Sequence, residues 1–223
     1  MGKVPQWEMV EHHVTETRLS HCVAECAGDH RRAVLLYEWN TAVSGAFWES
    51  LSHLEVALRN AVDRRMSEIH AAKRRPGHWI FDGARELGRD GRGPERHQHP
   101  FDDIATAMRR VRNNKKAIDP GQIISETPFG FWHQMVSSRQ RFLWPDLAAA
   151  FPHSPDRRQS TVHDPIASLR AVRNRIGHHH RIWSLDITAR YTDLLTVAGY
   201  LDPDLAAWIH DRSRITSTLA QRP

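Results

Sequence analysis

The segment from residue 44 to residue 75, SGAFWESLSHLEVALRNAVDRRMSEIHAAKRR, constrains the fold of this chain more than any other. Its apolar residues recur at steps of three and four positions, which is the period of one face of an α-helix. Ser44 is a residue type that often precedes a helix as its N-cap. The segment therefore predicts one long helix that begins near Ser44 and buries one face. The residues of that face are Phe47, Leu51, Leu54, Leu58, Ala61, Val62, Met66 and Ile69.

Helical patterns also cover most of the remaining chain, and no run of residues has the length and alternation of a β-strand. With 223 residues, 40% of them apolar, and eight tryptophans, the chain is long enough to bury a core. The sequence therefore predicts a single all-α domain over residues 1–223. Its other expected helices lie at 15–28, 31–39, 101–116, 164–177, 187–200 and 203–219. The aromatic residues expected in the core between 128 and 152 are Phe129, Phe131, Trp132, Phe142 and Trp144.

Residues 76–100, PGHWIFDGARELGRDGRGPERHQHP, interrupt the helical pattern with repeated glycine and proline. They predict a long basic loop, and loops of such length are usually functional or mobile. The helix expected next carries Arg109, Arg112 and Lys115, which are candidates for contacts with RNA phosphates. A cationic helix face exposed only to solvent is the alternative interpretation.

The charge balance favours an anionic partner such as nucleic acid without requiring one. Thirty-one Lys and Arg against 26 Asp and Glu give a net charge of +5, and 16 histidines can add to it. No apolar run approaches a membrane span, and the first residues lack the apolar core of a signal peptide. We therefore expect a soluble, cytoplasmic protein without membrane association. Cys22 and Cys26, with His21 and His30 nearby, are compatible with a zinc site or with thiols packed on a helix.

The stretch RNRIGHHHRIW, residues 173 to 183, contains three consecutive histidines next to arginines. Asp164 and Pro165 are typical of an N-cap and a first helical position, so they predict where the preceding helix begins. Gly177 is the residue type that commonly follows a helix in a left-handed conformation. We therefore expect the helix to end there, with the histidines just beyond it.

Three interpretations of the histidines remain open. A metal site would need converging ligands, and adjacent residues point in different directions. A charged helix end is a second interpretation, because cations near a helix C-terminus interact favourably with its dipole. The third is metal-free RNA cleavage, in which Arg173 binds phosphate and His178 transfers protons. On a continuous helix these two residues would diverge by about 140°, so the helix must break between them, and a second copy of the chain would help to complete the site.

At these residues the sequence resembles the Abi-like (abortive-infection) proteins of the HEPN superfamily. The superfamily pattern matches Arg173, Asn174, the spacer RIG and His178. The Abi-like pattern adds SHLEVALRNAVDRRM (52–66), FGFW (129–132), LRAVRNRIGHH (169–179) and a late tryptophan, Trp208, in the same order. The resemblance covers about residues 30–212. After the paired histidines the family usually has Glu-Pro and an apolar residue, where this chain has His180 and Arg181.

The resemblance implies a HEPN-like helical bundle with additional helices, commonly a homodimer with a composite site. It implies a metal-independent endoribonuclease that needs no cofactor, leaves 2′,3′-cyclic phosphate and 5′-hydroxyl ends, and acts in phage defence or a toxin–antitoxin-like role. An antitoxin or another regulatory protein would be a partner. Arg173 would bind phosphate, His178 transfer protons and Asn174 orient the site. Supporting residues would be His179, Glu55, Arg59 and Asn60, and RNA contacts would include Arg175 and Arg181. A non-catalytic RNA-binding or regulatory HEPN module is the alternative.

Overall fold

A computed structural model describes residues 7–83, 85–89 and 98–223. Every regular element in these ranges is helical and none is a strand, which confirms the all-α class. The α-helices are α1 (Trp7–Val14), α2 (Glu16–Glu25), α3 (His30–Ala72), α4 (Gln98–Asn113), α5 (Pro120–Glu126), α6 (Phe129–Met135), α7 (Trp144–Leu147), α8 (Gln159–Gly177), α9 (Ile187–Leu201), α10 (Pro203–Arg212) and α11 (Ile215–Leu219). Short 3₁₀ turns lie at Trp79–Phe81, Ser138–Gln140 and Ala148–Ala150.

The 43-residue helix α3 is the central element, and α2, α6, α9 and α11 all pack against it. The prediction of two separate helices, one at 31–39 and one that begins near Ser44, was wrong. Helix α3 runs through Ser44 without a break. Its N-cap is Asp29, whose carboxylate accepts the backbone N–H of Arg32. The buried stripe extends N-terminally through Val43 and Leu36, so burial outweighs the helix-breaking tendency of Gly45.

Helix α8 packs mainly on α9 and also contacts α6 and α3. It begins at Gln159, five residues before the predicted N-cap Asp164, so Asp164 and Pro165 lie inside the helix. That prediction was wrong: the N-cap is Arg158, whose side chain makes no capping hydrogen bond, and the buried face of α8 extends N-terminally to Val162. Of the four apolar residues that the helical spacing places on one face of α8, Ile166, Leu169 and Val172 are buried and Ile176 is half-buried.

The C-terminal region differs from prediction in one break. The helix expected over 203–219 is two helices, α10 and α11, separated by Ser213 and Arg214. The N-cap of α10 is Asp202, whose carboxylate accepts the N–H of Asp204 at 2.7 Å. The first helix, α1, was not predicted; His30 stacks on its Trp7 with ring centroids 4.0 Å apart.

The chain after α3 is more ordered than the predicted loop over 76–100. In its described part Trp79, Ile80 and Leu87 are buried. Glu86 receives two hydrogen bonds of 2.7 Å from the guanidinium of Arg75 and two of 3.2 Å from Lys73. Positions 84 and 90–97 of the predicted loop lie outside the described residues, and α4 already begins at Gln98.

The aromatic residues after α5 form much of the core. Phe129, Phe131, Trp132 and Trp144 are buried as expected. Phe142 was wrongly predicted to be buried: it is 42% exposed, and the guanidinium of Arg89 lies 4.2 Å from its ring centroid. In the described part of the chain no helix is long and apolar enough to cross a bilayer.

Candidate functional site

The histidine cluster forms the turn that ends α8. His178 is the C-cap, with φ −99° and ψ 11°, and its N–H donates to the carbonyl of Asn174. His179 has a left-handed φ of 55°, and the N–H groups of His179 and His180 donate to the carbonyls of Ile176 and Arg175. This pair of hydrogen bonds is a Schellman motif. The left-handed residue is therefore His179, two positions after the predicted Gly177, which is the last helical residue.

Contacts from α2 and α3 hold this turn in place. Arg18 on α2 donates from Nη1 to the carbonyl oxygen of His179 at 2.6 Å. The buried Asn40 on α3 accepts the N–H groups of Ile182 and Trp183 with Oδ1, at 2.8 and 3.4 Å. The polar groups of this exit from α8 are thus partly satisfied by residues more than 140 positions away in sequence.

Arg175 also stabilises the turn from within α8. Its Nε and Nη2 donate to the carbonyl oxygen of Arg181 at 3.0 and 2.7 Å. Arg175 was predicted to contact RNA, and in this structure two of its donor groups are directed at the backbone instead. Arg181 is half-buried, and its guanidinium lies 5.6 Å from the ring centroid of Trp183.

Arg173, the candidate phosphate-binding residue, faces α3. Its guanidinium carbon lies 5.2 Å from the ring centroid of Trp48, which is 39% exposed. Its Nε is buried without a hydrogen-bond partner. A Cβ added to Gly177 would lie 3.7 Å from its Nη1, so the guanidinium lies beside the residue that precedes His178. Cation–π contact with Trp48 holds this charge in place without neutralising it.

Arg173 and His178 differ in their surroundings, since Arg173 is half-buried against α3. His178 and Asn174 are both exposed, and the ring of His178 is 5.8 Å from that of His180. In the described part of the chain, the side chains of Arg173 and His178 share no hydrogen bond. The helix continues through Gly177, and the left-handed residue that ends it is His179, which follows His178. The predicted break between Arg173 and His178 is therefore absent.

Glu55 and Arg59 form the expected pair on α3, with Nη2 of Arg59 3.5 Å from Oε1 of Glu55. Nη1 of Arg59 donates to the carbonyl of Ser125 at 3.2 Å. Glu55 lies on the same face of α3 as Trp48. The two are seven residues apart, which at 1.5 Å per residue is about 10 Å along the helix axis. Asn60 is exposed and lines a separate pocket beside Leu205. These residues therefore flank the motif at a distance and do not surround Arg173.

An open groove lies where α1, α2, the first half of α3 and the turn after α8 meet. Its two parts have volumes of about 520 and 910 Å³ and share Arg18, Tyr37, Asn40, His179 and His180. The remaining residues that line the smaller part are Thr15, Thr17, His21, Cys22, Arg175, Arg181 and Trp183. The remaining residues that line the larger part are His13, Val14, Thr41, Ser44, Gly45, Trp48, Glu49, Ile176 and Gly177.

This groove is strongly cationic. Glu49 is its only carboxylate among these lining residues, and Oε2 of Glu49 accepts a 3.0 Å hydrogen bond from Arg214. Arg18 and Arg181 line the groove and Arg173 does not, but none of the three is in an ion pair among the described residues. These three charges are therefore available to an anionic ligand.

Sequence reasoning missed the contribution of the N-terminal helices to the groove. Arg18, His13 and His21 lie on α1 and α2, and Trp48 lies on α3. No local pattern singles them out, because only the packing of α2 on α3 and the anchoring of the turn by Asn40 bring them to the motif.

The cations predicted on α4 lie away from the groove. Arg109 and Arg112 are exposed, and α4 packs mainly on α5. Lys115 is the left-handed residue after α4, with φ 55°. None of the three lines either part of the groove.

The cysteines are two free thiols, both buried. Burial raises the pKa of Cys22, and the neighbouring Cys26 raises it further. Among the residues that the structure describes, no three His, Cys, Asp or Glu side chains are placed to hold one metal ion. The histidine turn and the Cys22 region therefore lack the converging ligands of a zinc centre.

A second histidine pair lies between α6 and α8. The rings of His133 and His163 are 5.0 Å apart, and Nδ1 of His133 is buried without a hydrogen-bond partner. Burial lowers the pKa of His133 to about 4, and the positive charges of His163 and Arg170 act in the same direction. His133 is therefore neutral at physiological pH, unlike the arginines of the groove.

No family model, curated protein or solved structure matched this chain in the comparisons.

Proposed function

We propose that this chain is a metal-independent endoribonuclease of the HEPN type, in the Abi-like group. The observation that carries the proposal is the guanidinium of Arg173, which is in no ion pair among the described residues and stacks on the half-exposed Trp48 beside a cationic groove. An arginine in this setting offers two parallel donors to a phosphate, and the indole offers a surface for an RNA base. The order of motifs along the chain supports the same function.

The chemistry needs two proton transfers and one charge stabiliser. A base removes the proton of the 2′-hydroxyl, the 2′-oxygen attacks phosphorus, and the bond to the 5′-oxygen breaks as that oxygen is protonated. The products are a 2′,3′-cyclic phosphate and a 5′-hydroxyl. Histidine titrates near neutral pH and suits either proton transfer, so His178 is the proposed residue for one of them. Arg173 would stabilise the charge that develops on the phosphorane.

A homodimer would complete this site. Within one chain His178 is exposed, and it shares no hydrogen bond with Arg173 among the described residues. A second copy related by a two-fold axis would place its own exposed motif residues opposite the first and supply the second proton-transfer group. Asn174, exposed one turn before His178, would orient the RNA. A role in phage defence or as a toxin restrained by a partner protein rests on the Abi-like resemblance.

A non-catalytic RNA-binding module is the second candidate function. It is favoured by one observation: His178 lines neither part of the groove, whereas His179 and His180 line both. In that case the cationic groove would bind RNA and the exposed imidazole would take no part.

Cleavage of RNA in excess EDTA tests these functions. The protein, Arg173→Ala and His178→Ala are incubated with a labelled single-stranded RNA, with Arg212→Ala on α10 as a control arginine outside the groove. Cleavage that both motif variants lose and the control retains supports the ribonuclease. Binding without cleavage in the unaltered protein supports the module, and activity that EDTA abolishes overturns the metal-free mechanism. A specific activity that rises with protein concentration would support a composite dimeric site.

A further inference from the structure

The smaller part of the groove is a built pocket that differs from the Arg173 and His178 pair. It lies between α2 and the segment 179–183, and neither Arg173 nor His178 lines it. Its volume of about 520 Å³ falls in the range of pockets that bind small ligands. Helix α2 lies outside the stretch that resembles the Abi-like proteins, so this wall of the pocket belongs to the chain's additional N-terminal helices.

Positive charge converges on this pocket without a carboxylate to neutralise it. Arg18, His21, His180 and Arg181 line it, and among the described residues no Asp or Glu does so. Arg18 uses Nη1 to hold the carbonyl oxygen of His179, which fixes the direction of its guanidinium. Arginine without an acidic partner in a concave site is the arrangement that proteins use for phosphate.

One buried donor on the pocket residues lacks a partner. Nε of Arg181 is buried without a hydrogen-bond partner, whereas the indole of Trp183 interacts with the thiol of Cys22. Burying a donor unpaired costs free energy, so most such groups are satisfied by water or by a ligand. The charge of Arg181 also reaches Cys22 inside the pocket: burial raises the pKa of that thiol most, and Arg181 is among the groups that lower it.

Aromatic residues supply the apolar side of the pocket. Tyr37 and Trp183 line it, and Tyr37 continues into the larger part of the groove. A pocket lined by both cations and aromatic rings suits a ligand with a phosphate and a planar base.

We propose that this pocket binds one nucleotide, with its phosphate on Arg18, His180 and Arg181 and its base against the aromatic side chains. The site does not depend on ribonuclease chemistry, because none of these residues belongs to the Arg173 and His178 pair. The nucleotide has two sources, a free mononucleotide or a residue of an RNA strand that continues along the larger part of the groove.

Calorimetric titration of the full chain tests this site with four probes: uridine 5′-monophosphate, adenosine 5′-monophosphate, uridine and inorganic phosphate. We expect saturable binding of both monophosphates, and binding of uridine at least about tenfold weaker, because it lacks the charge-assisted hydrogen bonds to arginine. Inorganic phosphate should also bind more weakly, because it lacks the stacking contribution of a base. Uridine binding as tightly as its monophosphate, or no saturable binding, would overturn the proposal.

Two variants with matched controls locate the binding. Arg181→Gln should weaken binding of the monophosphates about tenfold or more, whereas Arg212→Gln on α10 should leave it unchanged. Thr17→Glu adds a negative charge to the exposed rim of the pocket and should have a similar effect, compared with Thr216→Glu on α11. Equal losses in a variant and its control would show that the effect is general charge and would contradict the site.

A short single-stranded RNA distinguishes the two sources. If the mononucleotide competes with the RNA, and Arg181→Gln weakens both, the pocket is a subsite of the RNA groove. If the RNA binds without displacing the mononucleotide, the pocket binds free nucleotide. Either result supports the pocket. Arg173→Ala should leave mononucleotide binding intact. If the unaltered chain binds nucleotide but cleaves no RNA, only the proposed ribonuclease is contradicted.

Discussion

The turn after α8 and the segment that follows α3 both concentrate cations, but they use them differently. Near the end of α3, Arg75 and Lys73 surround Glu86, and their guanidinium and ammonium groups lower the pKa of that carboxyl. At the turn, Arg18, Arg173 and Arg181 have no carboxylate partner among the described residues. The comparison shows that pairing, more than the number of arginines, separates a structural contact from a surface that can bind an anion.

The largest expected effects come from removing one arginine of each region, Arg173 or Arg75. Arg173→Ala should reduce RNA cleavage by about 10²- to 10³-fold, the usual effect of removing one charge stabiliser. Its free energy of unfolding should change by less than about 1 kcal/mol, because no hydrogen bond is lost. Arg75→Ala should lower the free energy of unfolding and leave the rate of RNA cleavage nearly unchanged. Cleavage rates and urea denaturation of both variants measure this difference between the two arginines. An equal loss of activity in the two variants would contradict it.

Removal of the Glu86 carboxylate should give the next largest effect. Glu86→Gln should lower the free energy of unfolding by about 2 to 3 kcal/mol, since hydrogen bonds to charged groups are worth roughly 1.5 to 3 kcal/mol. The side chain of Glu86 is only 13% exposed. Glu68→Gln is the matched control, because its pair with Arg65 is 64% exposed on the Glu68 side and should contribute under about 0.5 kcal/mol. Similar urea midpoints for the two variants would contradict the structural role of Glu86.

The stability of the protein should also depend on the neutral His133. Because its folded pKa is about 4, below the ordinary value of 6.5, the unfolded chain binds the proton more readily. The contribution of His133 is therefore complete above pH 6.5 and is lost as the pH falls towards 4. Allowing for the partial exposure of the ring, we expect a loss of about 1 to 2 kcal/mol over this range.

Thermal unfolding between pH 7 and pH 4.5 checks this effect. His133→Phe should show a smaller loss of Tm than the unaltered protein, because phenylalanine has no proton to gain. His12→Gln changes an exposed histidine on α1 and should follow the unaltered protein. If all three curves coincide, His133 does not contribute to the pH dependence.

The smallest expected effect concerns the turn itself. Gly177→Ala should raise the free energy of unfolding by about 0.5 to 1 kcal/mol, since Gly177 is helical and alanine favours helix. The added Cβ meets only Nη1 of Arg173, at 3.7 Å. His179→Gly should also stabilise, because glycine adopts the positive φ without strain. Urea denaturation measures both effects. If Gly177→Ala destabilises the protein, the left-handed residue is Gly177, as the sequence predicted, and not His179.

The helical class, the core stripes and the Glu55–Arg59 pair could be predicted because each depends on residues three or four positions apart. The errors at Ser44 and Asp164 have a common cause. Each residue type suits a helix start, but each lies in a helix whose buried face extends N-terminally past it, and burial outweighs local preference. At Gly177 the helix does end, but the left-handed conformation falls on His179, two positions later.

The groove could not be predicted because its walls come from distant parts of the chain. Arg18 and His179 are 161 residues apart, and Asn40 and Ile182 are 142 apart. The sequence identified the histidines and Arg173 as a charged cluster. It did not identify Trp48 or α2 as their neighbours, because no periodic pattern relates them.

The length of α3 links the two regions of the opening comparison. At 1.5 Å per residue its 43 residues span about 65 Å, and about 50 Å separates Asn40 from Lys73, which lies just past its end. Amide hydrogens in the buried middle of such a helix exchange with solvent mainly when the whole domain opens. A ligand bound at the turn should therefore slow exchange along the entire helix, including amides near Ile69, far from any atom that it touches.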